Sequence, residues 1–290
     1  MEKSKINFKS LLPYIAFAVL IVYLFYHLFN MLFSDAELYI VKNETLYEYA
    51  TLEGYVFRDE TPLYSNGSGS VSYTYDDGEK IAAGSTVARV GDGEDSAVVS
   101  ENAGYFYKNA DGYENIFTGA AATDMTYDEL LKAFDAKPSS LDGCVGKVAT
   151  DFSWYFVCET AESRFENGKT YSFSISGETY DMTLERSPTK NGAHVLVFKC
   201  TKTPREAFDS RLVSAKATVA VYGGATVPKD AVYKSGGETF VYLFDEGFAR
   251  KCAVDVIYTD DSLSVVSCET DVVGRSVIKG VGLYDGKAMK

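Results

Sequence analysis

The sequence predicts a mainly β protein carried on an N-terminal transmembrane helix, and three observations support that expectation. Tyr and Phe number 22 and 18, against 24 Gly and only 6 Pro in 290 residues, a balance that favours short strands joined by glycine turns over helix bundles. Runs such as KTYSFSI, ETYDMTLER and AHVLVFKC lie between Gly, Asn and Ser clusters, as strands bounded by turns do. One uncharged stretch, Leu11 to Phe33, is long enough to cross a hydrocarbon core of about 30 Å. With 46% hydrophobic and 24% charged residues the chain is able to bury real cores, and its length suits two or three compact units.

Residues 1–10 read as a cytoplasmic tail and 11–33 as the membrane span. Lys3, Lys5 and Lys9 precede the span while Asp35 and Glu37 follow it, and this lysine bias predicts a single pass with the N-terminus inside and everything after Phe33 outside. Ser34 and Ala36 form a small-x-small site that a cleaved signal peptide would use, but the apolar stretch exceeds the usual secretory core of roughly 7 to 15 residues. Of the polar groups in the span, Pro13 and Asn30 lie near its ends, and His27 is read as snorkelling toward the interface. The chain's formal charge of −13 becomes more negative beyond the span, since three lysines and only Glu2 precede it. Such a surface repels nucleic acid, so no nucleic-acid partner is expected.

Residues 35–120 read as an acidic, aromatic stalk followed by a glycine-punctuated β unit. Gly69-Ser-Val-Ser-Tyr-Thr-Tyr-Asp-Asp-Gly78-Glu-Lys-Ile81 is weakly repeated as Gly104-Tyr-Phe-Tyr-Lys-Asn-Ala-Asp-Gly112-Tyr-Glu-Asn-Ile116. Each copy has a glycine, an aromatic strand and an Asp-Gly turn, which predicts two related strand-turn-strand halves of a sandwich. Residues 121–140 form a helical connector or lid, because Thr126 and Glu129 have capping-box spacing before Leu130, Leu131 and Phe134, with Pro138 closing the run. Residues 141–224 return to strands, KVATDFSWYFVCE being the first of five, and predict a small β-barrel. Residues 225–290 hold a hairpin around Asp245-Glu246-Gly247 and then SLSVVS.

With these residues in view the chain resembles the HlyD-like membrane fusion proteins, the periplasmic adaptor subunits of export systems. Gly78-Glu-Lys-Ile-Ala-Ala-Gly84 is similar to the turn of that family's lipoyl-like barrel-sandwich unit, where Gly69, Gly78, Gly84, Gly104 and Gly112 would be structural turns. Val145-Gly-Lys-Val148 followed by Trp154-Tyr155 is similar to the start of the family's β-barrel domain. Val227-Pro228-Lys-Asp-Ala231-Val232, then Gly236-Gly237 and Phe240-Val-Tyr242, resembles the opening of the membrane-proximal domain, with Val227, Pro228 and Ala231 as motif positions. The resemblance implies a barrel-sandwich unit, a barrel and a membrane-proximal β unit in that order. Two departures matter. The family usually inserts a long helical hairpin between the sandwich halves, whereas only Gly91 to Asp95 separates Val90 from Ser96. True lipoyl or biotinyl domains also modify a lysine at this turn, and none is present, so no covalent cofactor is expected.

Little chemistry of other kinds is written here. His27 and His194 are the only histidines, and His194, in a strand-like run, reads as a structural imidazole rather than a base. Asp76-Asp77, Asp92 to Asp95 and Asp260-Asp261 read as solvated turns, with weak divalent-ion binding left open at Asp92, Glu94 and Asp95. No phosphate loop, EF-hand or zinc spacing occurs. Cys144, Cys158, Cys200, Cys252 and Cys268 include no C-x-x-C pair and read mainly as buried thiols, with one or two disulfides left open for an oxidising compartment. Asn43 and Asn66 fit the glycosylation sequon. No catalytic, cofactor or metal residues are therefore assigned. The expectation is a non-enzymatic, membrane-anchored adaptor that binds an export permease or another envelope protein, with a homo-oligomer left open. An envelope scaffold of the same fold without a transport partner is the alternative, and a thiol or carboxylate hydrolase ranks third.

Overall fold

The computed structural model describes residues 17–26, 36–91, 97–202 and 210–289. Residues 17–26 are helical, and their apolar side chains are not covered by the rest of the chain: Val22 is 68% and Phe25 69% exposed. No helix among the described residues is long and apolar enough to cross a membrane. The rest of the stretch Leu11 to Phe33, His27 included, lies outside the described residues. The chain divides into two compact units, Tyr49–Ala220 on the one hand and residues up to Glu48 with those from Val221 on the other. It passes between them inside two long strands, Lys42–Phe57 and Leu212–Pro228.

In the unit Tyr49–Ala220 one sheet runs in the order Thr170–Ile175, Glu178–Arg186, Ala193–Cys200, Trp154–Thr160, then the two long strands. Thr170–Ile175 also pairs with the second long strand, at Phe173↔Ala217, so the sheet closes on itself and leaves no free edge along this circuit. Alternation along each strand sends Phe156, Cys158, Leu196 and Phe198 inward with Phe173 and Met182. It sends Tyr155, Val157, Val195 and Val197 outward, where two helices cover them. Both faces are thus buried, which is why Trp154 to Cys158 reads as an unbroken apolar run rather than an alternating one.

The helices are local in origin. Thr118 Oγ1 accepts the Ala121 N–H at 3.1 Å and caps Gly119–Asp124. Glu129 Oε2 accepts the Thr126 N–H at 2.8 Å and starts Tyr127–Phe134, whose Leu130 and Ala133 join the cluster with Val195 and Val197. The run KVATDFSWYFVCE departs from its reading as one strand. It breaks into Cys144–Ala149 and Trp154–Thr160, because Asp151 turns the chain by accepting from the Ser153 N–H at 3.2 Å and its hydroxyl at 2.7 Å.

Two smaller sheets enclose a second core in the same unit. One runs Glu60–Tyr64, Cys144–Ala149, Gly104–Tyr107, Lys80–Ile81; the other Val71–Tyr73, Thr86–Val90, Ala97–Val99. Leu63, Ile81, Val87, Val98, Phe106 and Val148 pack between them. Thr86–Val90 pairs with Ala97–Val99 through Arg89↔Ala97, so a β-hairpin stands where the resembled family carries its helical one. The two copies of the sequence repeat are not equivalent. Lys80–Ile81 ends the first and pairs with Gly104–Tyr107, which begins the second. After Gly112 no strand returns, since the Ile116 N–H bonds back to the Tyr113 carbonyl in a turn.

The other unit carries a sheet ordered Glu37–Ile40, Ser276–Lys279, Glu238–Asp245, Tyr233–Ser235, with Phe248–Ala253 also on Glu238–Asp245. The first strand after the predicted span therefore pairs with the last strand of the chain, Leu38↔Ile278. The Asp245-Glu246-Gly247 hairpin is present, Asp245↔Phe248, with φ of 49° at Glu246 and 86° at Gly247, the left-handed pair that a tight hairpin demands. Leu263–Ser267 lies between Asp255–Thr259 and the end of the second long strand. Val41, Val227, Val241, Val254, Val266 and Val277 form the core.

Candidate functional site

The unit Tyr49–Ala220 contains a buried cluster of charges where its barrel strands meet its two small sheets. Arg58 follows the first long strand and Arg211 precedes the second, while Glu60, Tyr107 and Lys147 come from Glu60–Tyr64, Gly104–Tyr107 and Cys144–Ala149. Lys147 Nζ lies 2.9 Å from Glu60 and 3.5 Å from Glu114, with all three side chains below 10% exposure. Arg211 Nε donates to Asp111 at 2.6 Å, its Nη1 donates to the Val56 carbonyl at 3.3 Å, and its Nη2 pairs with Glu60. Arg58 Nη1 donates to the Tyr107 hydroxyl at 3.0 Å, and its Nε and Nη2 have no partner among the described residues.

Lys147 and Arg211 are thus offset by Glu60, Glu114 and Asp111, the condition on which buried charges are tolerated, while Arg58 is held by the Tyr107 hydroxyl. Burial would raise the Asp111 carboxyl, but the hydrogen bond and charge of Arg211, with Lys147, hold it below its ordinary value. Burial likewise opposes the charge on Arg211, and Glu60 and Asp111 outweigh it. The cavity among these residues is about 20 Å³, the room of a single water. No nucleophile with an adjacent base stands here, so the cluster suits fastening strands rather than chemistry.

Beside it opens a groove of about 300 Å³ lined by Tyr55, Tyr113, Phe117, Phe134 and Leu212, with Asp111, Ser210 and Arg211 at its polar side. Tyr55 stacks on Phe134 with ring centroids 4.4 Å apart, and Tyr113 on Phe117 at 5.1 Å. Leu212 is 49% exposed. A rigid aromatic floor with one charged pair at its side is able to take an apolar side chain of a partner and orient it.

Of the positions singled out in the sequence, Lys147 of the Val145-Gly-Lys-Val148 motif belongs to this cluster, whereas the turn glycines and Val227, Pro228 and Ala231 do not line these features. Gly69 (φ 134°), Gly78 (φ 75°), Gly84 (φ 83°) and Gly112 (φ 81°) occupy turns of left-handed backbone. Gly104 is in a strand opposite Ile81, and a Cβ there would meet the Ala149 carbonyl oxygen at 2.1 Å. Val227 pairs with Ser264, Pro228 with Leu263, and Ala231 is fully buried near Val227 in the other unit. His194 shares a hydrogen bond with Thr189 at 2.9 Å. Asp76 binds Lys108 at 2.6 Å, and Asp260 accepts the Ser262 and Leu263 N–H groups of its own turn. Among the described residues no group of three or more His, Cys, Asp or Glu could hold a metal. The turn from Asp92 to Asp95 lies outside the described residues. Sequence reading assigns no role to Arg58 or Arg211 and quotes Lys147 only within the Val145-Gly-Lys-Val148 motif; the one signal of burial there is a charge set within apolar text.

Residues 60–147 match the family model described as RND related, barrel-sandwich hybrid domain, which agrees with the resemblance to membrane fusion adaptors drawn from the sequence. No curated protein matches the chain. Among solved structures, ZneB from Cupriavidus metallidurans is 11% identical with a TM-score of 0.28, the match covering 86% of this chain and 94% of that one. MacA from Actinobacillus actinomycetemcomitans is 9% identical with a TM-score of 0.40, covering 82% and 98%. The membrane fusion protein Spr0693 from Streptococcus pneumoniae R6 is 10% identical with a TM-score of 0.29, covering 60% and 100%.

Proposed function

We propose that this chain, whose residues 60–147 match the RND-related barrel-sandwich hybrid domain, is a non-enzymatic adaptor, anchored by Leu11 to Phe33 with its β domains outside, that engages an export permease through its β surfaces. The barrel-sandwich domain is the observation that carries the reading. The aromatic groove at Tyr55 and Phe134 supplies a place for a partner's apolar side chain. The β-hairpin Thr86–Val90 with Ala97–Val99 favours a second reading, an envelope scaffold of this fold with no transport partner, since it offers no helical extension toward a channel.

Affinity purification of the full chain in mild detergent tests both readings. A co-purifying permease, lost with Leu212→Glu while melting stays unchanged, is the expected outcome. Recovery of cell-wall or division proteins without a permease supports the scaffold, and turnover of an acyl or glycosyl substrate by the pure chain would overturn both. Protease added to intact protoplasts should remove everything beyond Phe33.

A further inference from the structure

The unit that contains residues from Val221 onward has an open groove of about 630 Å³ whose lining includes Cys252, Cys268, Glu238, Lys251 and Glu269. Cys252 lies in Phe248–Ala253, opposite Val241, and Cys268 directly follows Leu263–Ser267. Both are free and half-buried, and both pack against the valine core of this unit. The Cys268 thiol donates to the Thr270 carbonyl at 2.8 Å and the Cys252 thiol to the Ala253 carbonyl at 3.8 Å, both on the lining of the same groove. Two half-buried free thiols on one open groove share the accessible setting that disulfide formation needs.

The other cysteines lack it. Cys158 stands opposite Leu196 while Cys200 stands opposite Trp154 on the same strand pair. That offset of four positions is about 13 Å, beyond the roughly 7 Å that a disulfide permits between Cα atoms. Both are fully buried, and Cys144 bonds to the Gly146 carbonyl at 3.4 Å.

We propose that Cys252 and Cys268 are a dithiol modification site, oxidised to an intramolecular disulfide by exchange with a low-molecular-weight disulfide that enters the groove. One cysteine thiolate attacks the reagent's S–S bond, forming a protein–reagent mixed disulfide and expelling one reagent thiolate. The second cysteine loses its proton to solvent and attacks the protein sulfur of that mixed disulfide, forming the Cys252–Cys268 bond and expelling the second reagent thiolate. Two electrons pass from the protein sulfurs to the reagent, which leaves as two thiols. Burial, and then the nearby Cys252, push the Cys268 thiol above its ordinary value, so exchange quickens as pH rises. The closed bond staples the turn and strand Asp255–Thr259 between the two cysteines.

The test incubates the full chain, folded, with oxidised glutathione, then alkylates the remaining thiols in denaturant and maps peptides by mass. The expected result is loss of alkylation at Cys252 and Cys268 alone, with their peptides joined, and a higher melting temperature for the oxidised chain than for the reduced one. Cys268→Ser should retain one glutathione on Cys252, because the resolving thiol is gone. Alkylation of all five cysteines would overturn the proposal, as would glutathione retained on the parent chain, or a bond to any other cysteine or to a second chain. The parent chain alone decides these outcomes should the variant fail to fold.

Discussion

Arg211 pairs with Glu60 across 151 positions of sequence, and the two side chains are only 8% and 6% exposed. Glu60 also holds Lys147, and Arg211 also holds Asp111, so the pair is the joint of a network. Removing one partner of such a buried pair leaves an uncompensated charge, which costs about 3 to 5 kcal/mol. Arg211→Ala should therefore lower the denaturant midpoint of the unit Tyr49–Ala220 strongly. Arg164→Ala, which breaks a partly exposed pair with Glu162, should cost no more than about 1 kcal/mol. Chemical denaturation of the full chain followed at Trp154, the sole tryptophan, reads both.

Gly104 and Gly84 should respond oppositely to what their shared glycine identity suggests. A Cβ at Gly104 would sit 2.1 Å from the Ala149 carbonyl oxygen and 2.7 Å from Val148 Cγ1, whereas one at Gly84 would meet nothing within 4 Å. Gly104→Ala must force paired strands apart, about 3 kcal/mol for a tightly packed site. Gly84→Ala pays only for left-handed backbone at φ 83°, about 1 to 2 kcal/mol. Thermal melts that rank Gly84→Ala as the more damaging change would contradict this packing argument.

Acid should loosen the charge cluster in a defined direction. The folded-state value of Asp111 is lowered, so its contribution is fully present above its unfolded value and lost as pH falls through the folded one. The melting temperature should hold from neutrality to about pH 5 and fall below about pH 4. Asp111→Asn should start lower and show a shallower acid fall. An unchanged acid limb in that variant would assign the fall to other carboxylates.

The turn from Gly91 to Asp95 offers no lysine, and intact mass of the purified full chain should show no lipoyl or biotinyl addition. A modified Lys80 would be the informative failure. Replacing Asp92, Glu94 and Asp95 together by serine should leave melting nearly unchanged, as expected of solvated turn residues.

The sequence by itself determined the features whose causes are local. Thr126 and Glu129 start their helix three residues apart, and Asp245-Glu246-Gly247 makes its hairpin with left-handed backbone at Glu246 and Gly247. The β class follows from aromatic and β-branched runs, and the barrel-sandwich likeness from turn glycines spaced along 69–112. Pairing partners are another matter, because hydrophobic alternation says which face a strand buries but not which strand it meets. That Cys144–Ala149 leaves Trp154–Thr160 to join Glu60–Tyr64, or that Leu38 meets Ile278, depends on chain closure over long separations. The same holds for the buried charge cluster and the groove thiols: Arg58, Glu60, Asp111, Lys147 and Arg211 are scattered charges in the text, and Cys252 and Cys268 are two of five scattered thiols. Only the tertiary structure brings each set together, since burial and mutual compensation are properties of the assembled strands.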